Sequence, residues 1–255
     1  MSKVLAIAQY TLHEALRTRL TWMVVGALAA LALGSVFVAQ VAITETARMQ
    51  AGFLAATGRM AAVFLVCLHV ASSMVREFND KGTELLLSLD LPRASYYLGK
   101  LVGFSAVALG VALATTAALA WFAPHQGVLL WGLSLACELV LVAAVTLFCV
   151  ITFAQIMPAV SFVLAFYLLA RSIAAIQLIT GSQLLNPHTL THRLSTWLID
   201  GLALLLPDLA RFTQTAWLVN DTGSAMTLGM IAGQTLIYGA VLTGAGLFDL
   251  YRKNL

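Results

Sequence analysis

The sequence predicts an all-α integral membrane protein with six transmembrane helices, and two observations carry that prediction. Of 255 residues, 61% are hydrophobic and 10% are charged, whereas about a quarter are charged in an ordinary globular domain. The charges are also clustered, with no Asp, Glu, Lys or Arg anywhere in residues 101–137 or 139–170. Runs beyond about 18 apolar residues can cross a hydrocarbon core roughly 30 Å thick as a helix rising about 1.5 Å per residue. The mean hydropathy of +0.93 agrees. This composition argues against a soluble enzyme, a nucleic-acid binder and a disulfide scaffold. The three cysteines, Cys67, Cys137 and Cys149, lie in apolar runs without C-x-x-C spacing, and read as small hydrophobes.

The elements follow in order along one transmembrane domain, residues 1–255. Residues 4–20 carry Leu5, Ala8, Leu12, Ala15 and Leu16 on one helical face, the pattern of an amphipathic helix lying in the membrane interface. With His13, Glu14 and Arg17 inside that stretch, no cleavable signal peptide is expected. Spans are predicted at 22–44, 53–75, 101–123, 129–152, 158–179 and 225–247. The fourth carries Glu138, the fifth Arg171, and the second has Arg59 near one end and His69 toward the other.

Between the last two spans, residues 181–223 form an outer segment broken at Asn186-Pro187, Asp200-Gly201 and Pro207-Asp208. Short broken helices packed against the other spans suit it, because irregular backbone at membrane depth needs cover from protein or water.

Orientation follows from Lys and Arg in the short loops. With the N-terminus in the cytoplasm, nine of the fourteen basic residues fall inside (Lys3, Arg17, Arg19, Arg76, Lys81, Arg93, Lys100, Arg252, Lys253) and four outside (Arg48, Arg59, Arg193, Arg211). Both termini are therefore expected in the cytoplasm. Trp22, Trp121, Trp131, Trp197 and Trp217 are expected to anchor the spans at the interfaces.

The stretch most informative about function is the cytoplasmic loop 76–100. Gly82 breaks the helix leaving the membrane, Thr83 suits an N-cap, and Glu84 suits the positive end of a new helix dipole. Leu85, Leu86, Leu87 and Leu89 give that short helix more apolar surface than a solvated loop needs, which marks a docking surface for another protein. Pro92 ends it.

Glu77, then Gly82-Thr83-Glu84-Leu85, Leu87-Ser88, Pro92-Arg93 and Leu98-Gly99-Lys100, resembles the signature loop of ABC type-2 exporter permeases. The likeness is greatest to the subgroup linked to multicopper-enzyme maturation. The chain departs from the usual pattern at Asp90-Leu91. The resemblance implies a coupling helix over residues 82–89, docked on a cytoplasmic ABC ATPase through Glu77, Gly82, Thr83, Glu84, Leu85, Leu86, Ser88, Pro92 and Arg93. It also implies two ATPase copies, a second copy of this permease, a setting in a bacterial inner membrane, and room for a periplasmic accessory protein. No G-x-x-x-x-G-K-[ST] motif occurs, so ATP and Mg would belong to the partner subunit. The chain itself is expected to carry no cofactor, no catalytic residue and no resident metal, and to bind membrane lipid but no nucleic acid.

Glu138 is expected about 15 Å into the fourth span and Arg171 about 20 Å into the fifth, so both approach mid-membrane. A charge there costs about 2.5–3.5 kcal/mol on insertion scales and faces a partner or a wet cavity. Pairing Glu138 with Arg171 is the economical arrangement, either as a static ion pair or as part of a substrate path. His69 is expected to be a hydrogen-bonded core histidine or, less simply, a path residue. His188 and His192 would bind metal only with a further ligand such as Asp200 or Asp208. Alternatives to the exporter are the membrane subunit of a heme-export apparatus, an intramembrane metal-dependent hydrolase using Glu138, His69 and His188/His192, and a membrane anchor for an ATPase. The cargo is left open among lipid-like molecules, sulfur or copper species, and peptides.

Overall fold

The computed structural model describes residues 3–41, 45–80, 92–122, 125–180, 190–220 and 224–252. It is all helical. Helices α1 (Lys3–Arg17), α2 (Leu20–Val41), α3 (Thr46–Asn79), α4 (Arg93–Ala120), α5 (His125–Phe153) and α6 (Ile156–Thr180) come first. After them come α7 (Leu190–Leu205), a 3-10 turn (Leu209–Arg211), α8 (Ala216–Asn220) and α9 (Ala225–Arg252). Among the described residues, six helices are long and apolar enough to cross a membrane: α2 to α6 and α9. They overlap the six predicted spans, with boundaries moved by a few residues. The largest shifts are at α3, which is 34 residues and about 51 Å long, and at α4, which starts at Arg93. Pro92 sets that start, its carbonyl accepting from the Ser95 and Tyr96 amides at 2.8 and 3.2 Å.

α5 is the hub. It packs on α3, α4, α6, α8 and α9, and 72% of its most apolar stretch is buried, against 11% for α2 and for α9. A helix buried all round has no polar face to spare, and α5 accordingly carries the uncharged core residues Leu135, Leu139, Ala143, Leu147 and Val150. Trp131 is fully buried among them and Trp217 is 3% exposed. The interfacial reading of the tryptophans is thus corrected for these two, while Trp22, Trp121 and Trp197 face outward.

α1 is separate from α2, the Thr18 hydroxyl closing it on the Ala15 carbonyl at 2.8 Å. The face it buries keeps only part of the predicted one, with Ala8 and Ala15 buried and Leu12 half-buried against Ala15, Leu20 and Val107. Ala8, Thr11 and Ala15 turn inward, whereas Leu5 and Leu16 are exposed. The reason lies in α4, where Gly99 and Gly103 sit one turn apart and let α1 approach backbone to backbone. A Cβ on Gly99 would stand 2.7 Å from Ile7 Cβ, and one on Gly103 2.7 Å from Thr11 Cβ. Small residues that allow such contact are the usual glue between membrane helices. Only short side chains on α1 can enter that seam, so Leu5 and Leu16 are turned away.

The outer segment holds short helices broken at Pro207-Asp208, as expected, but differs from expectation in two respects. α7 runs through Asp200-Gly201 without a break. Glycine in a helix interior costs about 1 kcal/mol, and Asp200 contributes a bond from Gln177 Nε2 at 3.1 Å that ties α7 to α6. α7 exposes Leu194, Trp197, Leu198, Leu202, Leu204 and Leu205, so it is not covered by the other spans. The chain after it is: Leu206, Leu209, Phe212, Trp217 and Leu218 are all buried. Residues 82–89, with Gly82, Thr83, Glu84, Leu85, Leu86 and Ser88, lie outside the described residues, as does His188.

Candidate functional site

Two polar clusters lie within the bundle. The first surrounds Glu138, which is fully buried on α5. Its Oε1 accepts from the Tyr167 hydroxyl at 2.6 Å and from Arg171 Nη1 at 3.3 Å, and its Oε2 accepts from the Thr213 hydroxyl at 2.6 Å. Arg171 also donates to the carbonyls of Leu209 and Phe212 at 2.9 and 3.3 Å. The structure therefore brings Glu138 and Arg171 together as an ion pair, and adds partners that satisfy both. A buried carboxylate needs this, since desolvating an isolated charge costs several kcal/mol.

Thr213 is the centre of the arrangement. Its amide donates to Ser134 Oγ at 2.9 Å, its hydroxyl joins Glu138 and Arg171, and its carbonyl accepts from Arg59 Nη1 at 3.2 Å. It is fully buried with φ at 43°, a left-handed conformation that is unfavourable for a β-branched residue. Such strain costs of order 1–3 kcal/mol and persists only where surrounding structure fixes it. Here α3, α5 and α6 each supply a bond to the same residue. The cluster anchors the irregular segment between α7 and α8 in the bundle, and exposes no carboxylate oxygen.

Beside it lies a cavity of about 200 Å³ with nearly all-apolar walls from α5, α6, α9 and the start of the irregular segment, among them Val142, Val163, Leu209, Tyr238 and Leu242. Tyr167 belongs both to this wall and to the Glu138 network.

The second cluster brackets residues 81–91. Glu77, near the end of α3, forms an ion pair with Lys100 of α4 and accepts from the Tyr96 hydroxyl at 2.9 Å. Lys100 is 1% exposed and the Glu77 side chain 14%. Arg93 donates to the Leu250 carbonyl at 2.9 Å, one of the acceptors left open at the end of α9. Immediately before Glu77 on α3, Arg76 pairs with Glu14 of α1, which also accepts from Ser73 Oγ at 3.0 Å. Glu77 and Arg93 are thus turned onto the protein's own helices.

His69 is buried and stands edge-on to Phe104, ring centroids 6.2 Å apart. It lies ten residues along α3 from Arg59, about 15 Å from the level of the Glu138 cluster, and the two do not meet. Sequence reading missed Tyr167, Ser134, Thr213 and Arg59. Two were within reach: Ser134 precedes Glu138 by four residues and Tyr167 precedes Arg171 by four, so each pair shares a helix face. Thr213 had no such signal, because it belongs to no helix pattern, whereas Arg59 was visible as a charge inside the second predicted span and was assigned only to the outer side.

No protein-family profile matches the chain, and no curated protein is significantly similar to it. The fold defines the class by itself: a multi-span, all-helical integral membrane protein.

Proposed function

We propose that this chain is the transmembrane subunit of an ATP-driven exporter of the ABC type-2 kind, which couples a separate cytoplasmic ATPase to movement of a substrate across a bacterial inner membrane. The observation that carries the reading is the bracing on either side of residues 81–91. Glu77 with Lys100 and Tyr96 joins α3 to α4, and Arg93 joins α4 to α9. A push delivered to the intervening loop therefore reaches three spans together, which is what rigid coupling requires. ATP would drive the change only if the closed ATPase pair binds one membrane conformation better than the other.

Supporting this are the six spans, the excess of basic residues on the side of both termini, and the leucine-rich stretch 85–89 that resembles a coupling helix. The outer surfaces of α2 and α9, the first and sixth spans, are apolar and largely exposed, leaving room for lipid, and the fifth span, α6, is only 28% buried over its most apolar stretch, leaving room for a second copy pairing through the first and fifth spans. The apolar cavity beside Tyr167 favours a lipid-like or amphipathic cargo over a metal or a charged peptide. The hydrolase reading gains no support, because Glu138 is already occupied by three donors and His69 lies at a different level.

Gentle-detergent purification from the native host followed by intact-complex mass tests the proposal. A stoichiometric partner bearing Walker motifs, in a two-plus-two assembly lost on Gly82→Pro or Leu86→Asp while membrane insertion persists, is the expected result. A chain that emerges alone even under crosslinking overturns it.

A further inference from the structure

A second and larger cleft, about 620 Å³, opens where the α1–α2 elbow faces α3. Its two walls carry the same gradient of polarity. On α3, Leu65, Leu68, Ser72 and Arg76 recur at three- and four-residue spacing and so form one stripe, apolar at one end and cationic at the other. Opposite them, Arg17 and Arg19 occupy the elbow, and Met23 lies a turn deeper on α2. Because α2 and α3 run in opposite directions through the membrane, the arginines of both walls meet at the same level and the apolar side chains meet below them.

Arg76 is paired with Glu14. Among the described residues neither Arg17 nor Arg19 has an ion-pair partner, and both are exposed. The cleft thus holds two guanidinium groups without an ion-pair partner and the Ser72 hydroxyl above a floor of Leu65, Leu68 and Met23 with His69 at its edge. Guanidinium forks match phosphate oxygens, and basic pockets between membrane helices bind anionic headgroups. A soluble phosphate would use the upper half alone and leave the floor of Leu65, Leu68 and Met23 unexplained.

We propose that this cleft is a binding site for an anionic phospholipid in the leaflet on the side of the termini, with its phosphate held by Arg17 and Arg19 and an acyl chain laid over Leu65, Leu68 and Met23. The site is independent of the exporter reading, since it is measured on this chain alone.

The test is native mass spectrometry of the purified full chain titrated with phosphatidylglycerol, with phosphatidylcholine and inorganic phosphate as separate arms. The wild-type chain retains phosphatidylglycerol in preference to phosphatidylcholine. Arg17→Gln with Arg19→Gln weakens phosphatidylglycerol roughly thirtyfold, the weight of two basic residues at an anionic surface, and leaves phosphatidylcholine unchanged. Because those arginines also influence insertion, Ser72→Phe provides a second variant. It fills the exposed middle of the cleft without altering a charge, and it too loses phosphatidylglycerol while helix content by circular dichroism is kept. Equal retention of the two lipids, or of phosphatidylglycerol in wild type and Ser72→Phe, overturns the assignment. So does inorganic phosphate that displaces the lipid, which would make the arginines a site for a soluble anion.

Discussion

Glu77 and Lys100 form a buried ion pair that joins the last turn of α3 to the second turn of α4, and thereby closes the two flanks of residues 81–91 onto each other. The Lys100 ammonium also lies 5.8 Å from the centre of the Phe104 ring, close enough for a cation–π attraction. The segment that resembles a coupling helix is therefore mounted on a base whose charges face inward.

Removing one member of this pair is expected to cost more than removing both. Lys100→Met leaves a carboxylate buried without its counter-ion, a loss of about 3–5 kcal/mol. The double variant Glu77→Gln with Lys100→Met keeps an acceptor for the Tyr96 hydroxyl and removes the stranded charge, so it should recover part of that loss. Thermal unfolding in detergent of the two variants checks this; equal destabilisation would show that the pair is not the brace.

The Glu138 cluster fixes the irregular segment after α7. Glu138→Ala strips the acceptor from Tyr167, Thr213 and Arg171 at once and is expected to destabilise by about 3–5 kcal/mol. A cysteine placed at Ala210 should then become more reactive to a membrane-impermeant maleimide. Arg171→Lys keeps the positive charge but cannot reach the Leu209 and Phe212 carbonyls together with Glu138, so it should fall between, at about 1–3 kcal/mol. Unchanged labelling in Glu138→Ala would show that the segment is held by apolar packing alone.

Close approach of α1 depends on two glycines. Gly103→Leu cannot be accommodated against Thr11 without moving α1, because the obstacle is a helix and not a flexible side-chain tip. Limited trypsin digestion should cut after Arg17 or Arg19 several-fold faster in this variant. Gly110→Ala, at a position where an added Cβ meets nothing within 4 Å, should leave the digestion unchanged and stabilise α4 slightly, by up to about 1 kcal/mol.

The tryptophans divide by burial. Trp131→Ala should cost about 3–5 kcal/mol through the cavity it leaves in α5's packing, while Trp121→Ala, at 87% exposure, should stay within about 0.5 kcal/mol. Thermal unfolding of both variants in the same detergent distinguishes a core tryptophan from an interfacial one.

Much of the bundle was legible in the chain because membrane spans are written in length and charge, both one-dimensional quantities. The six apolar helices and the break between α1 and α2 follow from them. The Glu138–Arg171 pair was legible for a related reason: two opposite charges at similar depth on consecutive spans have few other ways to be stabilised. The packed face of α1 was not fully legible, since hydrophobicity pointed to Leu5 and Leu16 along with Ala8 and Ala15, and the α4 glycines kept the small side chains, adding Thr11 and excluding those two leucines. Nor was the passage of α7 through Asp200-Gly201, where a bond from Gln177 on another helix supports the turn.

By itself, then, the sequence determined that this is a six-span helical membrane protein and which stretches are long and apolar enough to cross a membrane. Depth and length are set residue by residue by the cost of placing charge and bare backbone in hydrocarbon. The tertiary structure alone decided that Thr213 would be the meeting point of Ser134, Glu138, Arg171 and Arg59, that Lys100 would neutralise Glu77, and that the elbow arginines would face the cationic end of α3. Those pairings join residues from separate helices. Periodicity gives the face of each helix but not the rotation and height at which two helices meet, and these are fixed by close packing across the bundle.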